Sequence, residues 1–219
     1  MEKVILFDLD GTVIDSTDAI VETFYYVFEK QKFDRLVLVD DIKKLIGYPL
    51  DIMFQSLGVD EKFTSLFVDE YKLRYRDISC AQTFLLQNAK ESLELASSFA
   101  RLGIVTTKTA LYTQPLLKHL KIDHYFECLV GREHVQNPKP HPEPIHKAMD
   151  KMKLNINQFD IWMIGDTKLD LIASNCAGIK CIGVLSGYGT KEELEEYSSF
   201  ICNDTLEAVN NIRNFHNLL

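Results

Sequence analysis

The chain opens on a run that leaves it little freedom: Val4-Ile5-Leu6-Phe7, followed at once by Asp8-Leu9-Asp10-Gly11-Thr12. A continuous apolar stretch dominated by β-branched and aromatic residues predicts a strand buried on both faces. Two carboxylates follow where that strand should end, and Gly11-Thr12 turns the chain. In an open parallel sheet, ligands bind beyond the carboxyl ends of the strands, so Asp8 and Asp10 stand where chemistry is expected. A plain Asp-Gly turn is the competing reading of the same residues.

Beyond Thr12 the pattern becomes helical. Asp15 and Ser16 read as helix caps, and Ile20, Phe24, Val27 and Phe28 recur at helical spacing to about Lys30. The texture stays helical to about residue 80, with breaks at Gly47-Tyr48-Pro49 and Gly58, and Phe63, Leu66, Phe67 and Tyr71 form a second stripe. From about Asn88, short apolar runs alternate with helical patterns. Strands are expected at 102–106, 127–130, 160–164 and 180–184. Helices are expected at 90–99, 111–120, 142–152 and 169–177, the third with Pro142 in its first turn. Thr190 with Glu193, and Asp204 with Glu207, resemble capping boxes. Strands separated by helices imply an α/β fold with a doubly wound, Rossmann-like parallel sheet. The expected organisation is an α/β core of residues 1–15 and 82–219, interrupted by an α-helical insertion at 16–81.

A chain of 219 residues suits one such domain with a moderate insertion. No stretch approaches the roughly 20 apolar residues of a membrane span, and the first apolar run stops too early, at Asp8, for a secretory signal. Five cysteines without Cys-x-x-Cys spacing read as small buried hydrophobes in a reducing compartment, so a cytoplasmic location is expected. The net charge of −8 argues against nucleic-acid or anionic-membrane partners. It also means that any phosphorylated substrate must be drawn in by local cations, most simply a divalent metal and a placed lysine.

Reactive side chains recur just past inferred strands or in loops: Asp8 and Asp10, Thr106, Lys139 between two prolines, and Asp166 with Asp170. Each alone also reads as a turn, a cap or a solvated lysine. In this order they resemble the haloacid dehalogenase (HAD) superfamily of phosphotransferases. The resemblance rests on Asp8-Leu-Asp-Gly-Thr, Ile104-Val-Thr-Thr-Lys, Asn137-Pro-Lys-Pro-His-Pro-Glu-Pro and Gly165-Asp-Thr-Lys-Leu-Asp. The tail, Ala177-Gly-Ile-Lys with Gly183-Val-Leu-Ser-Gly-Tyr-Gly, is similar to the phosphoglycolate-phosphatase-like branch.

The resemblance implies a Mg²⁺-dependent phosphatase for a small phosphorylated metabolite, phosphoglycolate favoured, working beneath a small helical cap. Asp8, ionised if its pKa stays near 3.9, would attack phosphorus and form an aspartyl-phosphate. Asp10 would protonate the leaving oxygen and then activate water. Thr106, Thr107, Gly11 and Lys139 would hold the phosphoryl group. Asp8, Asp166 and the backbone carbonyl of Asp10 would bind Mg²⁺, with Asp170 in support. Thr107 departs from the asparagine usual in this branch, which touches the phosphate hydrogen bonding. The second aspartate, Asp10, separates the chain from carbon-attacking dehalogenases. In the cap, Lys44 or Tyr48 would meet substrate, although an amphipathic helix face accounts for Lys43 and Lys44 more simply. A sugar phosphomutase, a pyrophosphatase and a non-catalytic binding protein remain alternatives on the same scaffold.

Overall fold

The computed structural model describes residues 1–215; the last four positions of the expected core, 216–219, lie outside the described residues. Strand β1 (Glu2–Phe7) is interior, with Val4 through Phe7 each 0% exposed. Its side chains alternate between two apolar layers. Ile5 and Phe7 join the layer holding Leu102, Ile104 and Trp162, whereas Val4 and Leu6 join the one holding Ile145, Met163 and Leu171. The period of two thus places β1 in the middle of the molecule.

A tight turn leads to β2 (Ile14–Asp15), which pairs antiparallel with β3 (Phe84–Leu85). Between these short strands run four helices: α1 (Thr17–Lys30), α2 (Val39–Lys43), α3 (Leu50–Ser56) and α4 (Glu61–Ile78). They are held by aromatic side chains spaced for one face. Phe24 packs 4.6 Å from Phe54 and 5.1 Å from Tyr71 by ring centroids, and Phe54 lies 5.5 Å from Phe67. Such edge and tilted contacts add to the area each ring buries.

The remainder alternates helix and strand: α5 (Ala89–Ser97), β4 (Ala100–Val105), α6 (Ala110–His119), β5 (Cys128–Val130), α7 (Glu143–Met152), β6 (Phe159–Gly165), α8 (Lys168–Ala177), β7 (Lys180–Val184), α9 (Lys191–Glu195), β8 (Ile201–Cys202) and α10 (Thr205–Asn214). The strands form one parallel sheet in the order β5-β4-β1-β6-β7-β8. This is the doubly wound α/β fold expected, with the order reversing at β1. The crevice of such a sheet opens at that reversal, next to Asp8.

The differences from expectation are local. Strands β2, β3 and β8 have two residues each, too few for any periodicity. Pro142 sits at the N-cap of α7 rather than in its first turn, where Pro144 stands instead; neither position needs an N–H. The hydroxyl of Ser16 turns away from the start of α1 to bond Asp10, and the Asp15 carboxylate accepts the Thr17 N–H instead. All five cysteines are unpaired, and no described helix is long and apolar enough to cross a membrane.

Candidate active site

The carboxyl edge of the sheet gathers residues far apart in sequence. Asp8 leaves β1 with its N–H still donating to the Ile164 carbonyl of β6, which fixes the residue at the strand end. Its Oδ1 accepts from Lys139 Nζ at 2.7 Å, while Oδ2 receives no protein donor among the described residues. Lys139 also donates to the Val105 carbonyl at 3.0 Å and to Asp170 Oδ1. Asp170 is in the first turn of α8, and its other oxygen accepts from the Thr167 N–H and hydroxyl. One carboxylate therefore caps a helix and orients the buried lysine.

Asp166, at the end of β6, is 0% exposed. The Thr12 hydroxyl donates to its Oδ1 at 3.0 Å and the Tyr188 N–H to its Oδ2 at 2.8 Å. Two glycines make room for it: a Cβ at Gly11 or Gly187 would stand 2.3 Å or 2.0 Å from Asp166 Oδ2. Gly11 also adopts φ +81°, a left-handed conformation natural to glycine. Its N–H, expected to meet phosphate, donates here to the Ile14 carbonyl at 2.9 Å, and the turn it makes admits Asp166.

Carboxylate oxygens of Asp8, Asp166 and Asp170 lie within 4.8 Å of one another, all buried. Burial raises the Asp8 pKa to about 7; Lys139 pulls it down while Asp170 adds to the rise. Asp166 is held well above the ordinary carboxylate range by burial and then by Asp8 and Asp170. Burial thus moves Asp8 upward from the roughly 3.9 of an isolated carboxylate. Among the described residues Lys139 is the single ammonium bonded into this cluster, and it stays charged against burial because Asp170 and Asp8 face it. Several buried acids sharing one ammonium, with only oxygen donors, suit a hard divalent cation such as Mg²⁺.

The carboxylate of Asp10 is not in that cluster. Ser16 donates to it, and Lys108 Nζ lies 3.2 Å away. Lys108 also donates to the Tyr75 hydroxyl at 2.8 Å, from 4.4 Å above the same ring. Burial opposes its charge, but Asp10 and then Tyr75 keep its pKa above that of an ordinary lysine. Lys108 lies in the quoted threonine motif, yet the sequence assigned it no role; its place two residues after Thr106 was the available signal. Tyr75 comes from α4, and nothing in sequence joins it to residue 108.

Thr106 is buried, its N–H on the Val130 carbonyl and its Oγ1 accepting the Lys108 N–H at 3.1 Å. Next to it a cavity of about 320 Å³ opens between α1–α4 and the sheet edge. Asp10, Thr107 and Lys108 line it from the core, and Tyr48, Tyr71 and Tyr75 from the helices. Tyr48 thus reaches the cavity as expected. Lys44 does not: it is exposed and lines a separate depression with Arg35, Asp41 and Ser56. Lys43 is exposed too and lies by a third depression with Asp15 and Tyr188.

A doubly wound sheet with paired aspartates at its first strand end, the first of them bonded by a buried lysine, is the setting of a hydrolase family. The chain belongs to the haloacid dehalogenase-like hydrolase family, whose signature matches residues 5–184. It is 32% identical over 221 residues to a phosphoglycolate phosphatase of Colwellia psychrerythraea, covering 95% of each chain. It is 33% identical over 198 residues to the pyrophosphatase PpaX of Anoxybacillus flavithermus, covering 88% of each. Among solved structures, a haloacid dehalogenase-like hydrolase of Bacteroides fragilis superposes with a TM-score of 0.88 at 29% identity, over 95% of this chain and 100% of that one.

Proposed function

We propose that the protein is a Mg²⁺-dependent phosphatase that hydrolyses a small phosphorylated metabolite through an aspartyl-phosphate on Asp8. The observation that carries this reading is the state of Asp8: one oxygen held by Lys139, the other without a protein donor, at the sheet edge two residues from Asp10. Asp8 Oδ2 attacks phosphorus as the bond to the leaving oxygen breaks, and Asp10 delivers a proton to that oxygen. Asp10 then takes a proton from the water that attacks the acyl phosphate, which releases inorganic phosphate and restores Asp8. Thr106, Thr107 and Lys139 hold the phosphoryl oxygens and offset the charge that develops on them. Asp8, Asp166 and the Asp10 carbonyl are the residues that would hold Mg²⁺, with Asp170 beside them. When bound, the cation supplies positive charge that lets an anionic nucleophile approach an anionic ester.

Residues 16–81 act as a lid in this reading, since the cavity lies between them and the core. The names of the relatives place phosphoglycolate and pyrophosphate on the substrate panel, together with sugar phosphates and nucleotides. Phosphate release is measured across that panel with Mg²⁺ and with EDTA, for the native protein and for Asp8→Asn. Metal-dependent release by the native protein, at background in the variant, is expected. Release that survives Asp8→Asn would sink the covalent mechanism, and transfer without free phosphate would indicate a mutase.

A further inference from the structure

The wall of the cavity has a character that catalysis at phosphorus does not require. Its apolar lining includes Ile20, Leu50, Met53 and Val68, together with Tyr48, Tyr71 and Tyr75. A two-carbon acid phosphate or pyrophosphate would leave most of that wall against water. Tyr71 is 5% exposed, and its hydroxyl has no protein partner among the described residues. Since Tyr71 lines the cavity, that hydroxyl is free to bond a ligand there. Its ring stacks on Tyr75 at 5.5 Å with 11° between planes, so it presents a fixed polar tip at an apolar surface.

The charged residues of the cavity are Asp10, Asp51, Lys72, Lys108, Arg132 and Glu133, and most are already engaged. Lys108 is engaged by Asp10 and Tyr75, and Lys72 lies 3.9 Å from Asp69. Glu133 accepts the Ala110 and Leu111 N–H groups. Arg132, which donates to the Val135 carbonyl, is the cation best placed to favour a second anionic group, so any rival reading rests on it.

We propose that the substrate is a phosphomonoester whose leaving alcohol carries an aromatic ring with a hydrogen-bond acceptor, the ring on the Ile20–Val68 wall and the acceptor at the Tyr71 hydroxyl. This deepens the phosphatase reading and rests on it. A volume of about 320 Å³ stands at the small end of the roughly 300–1,000 Å³ of pockets for drug-sized ligands, room for a ring system. Burying one ring removes enough apolar surface from water to raise kcat/KM by on the order of 10- to 100-fold.

The test compares esters of similar leaving-group basicity: benzyl phosphate and ethyl phosphate, beside pyridoxal 5′-phosphate, phosphoglycolate and pyrophosphate, all with Mg²⁺. Benzyl over ethyl phosphate by about tenfold or more, with pyridoxal 5′-phosphate better still, is the expected result. Tyr71→Phe should lower kcat/KM for pyridoxal 5′-phosphate and leave benzyl phosphate nearly unchanged, which a purely structural role would not do. Equal rates for benzyl and ethyl phosphate, or a preference for phosphoglycolate or pyrophosphate, would overturn the ring assignment while leaving the phosphatase reading intact. No release from any ester would overturn both.

Discussion

Lys108 ties the two sides of the cavity together, because one ammonium reaches Asp10 of the core and Tyr75 of α4. Asp10 can exchange protons with a leaving oxygen only if its carboxylate is aimed, and Ser16 and Lys108 are what aim it. Asp10→Asn is expected to reduce kcat by about 10²-fold or more, as for loss of a general acid–base. Lys108→Met leaves that carboxylate held by Ser16 alone, so a fall of roughly tenfold to 10²-fold is expected, the scale of a misplaced catalytic group. Tyr75→Phe, which keeps the ring beneath the ammonium, should cost much less. Steady-state kinetics on the three variants check this order, and full activity in Lys108→Met would remove the lysine from the mechanism. Asp8, Asp10, Thr106, Lys139, Asp166 and Asp170 were legible because each sits in a short motif at a strand end or loop. Lys44 and Tyr48 were not separable, since Lys44 closes α2 and Tyr48 lies in the break that follows, and only the packing of the helices against the core decides which one meets the cavity.

At the scale of elements, β6 carries a second buried ion cluster, at its opposite end from the site. Asp160 receives Lys3 from β1 at 2.8 Å and Lys180 from β7 at 2.8 Å, so one carboxylate fastens three neighbouring strands. Burial pushes the Asp160 pKa up, yet hydrogen bonds from Lys180 and Lys3 hold it down, at about 2 against an ordinary 3.8. A depressed carboxylate stabilises the fold above its unfolded pKa, and that contribution is lost as pH falls from about 4 through 2. Asp160→Asn should be less stable than the native protein by about 2 kcal/mol at pH 7. Denaturant unfolding across pH should show the gap closing below pH 4; a gap constant with pH would mean that packing alone is responsible. The long elements around this cluster could be read from apolar runs and helical stripes. The two-residue strands β2, β3 and β8 could not, because pairing such as Ile14 with Leu85 is set by the fold and leaves no local period.

The whole molecule carries a net charge of −8 and is proposed to take a dianionic ester, so the long-range field opposes the encounter. Screening should relieve that opposition. At saturating Mg²⁺, raising ionic strength from about 0.01 to 0.15 M, which shortens the Debye length from roughly 30 to 8 Å, should increase kcat/KM about two- to threefold. A decrease would mean that Arg132, Lys108 and Lys72 at the cavity outweigh the global charge. A different consequence follows from the position of β1 between β4 and β6. The strand that leads the sequence is the one its neighbours must enclose, and the earlier of them starts at Ala100. At ribosomal speeds of about 5–20 residues per second, Val4–Phe7 waits on the order of 5–20 s for its first partner and longer for β6. During that interval the apolar run Val4–Phe7 has no strand partner, so synthesis itself is a step at which this segment is open to aggregation.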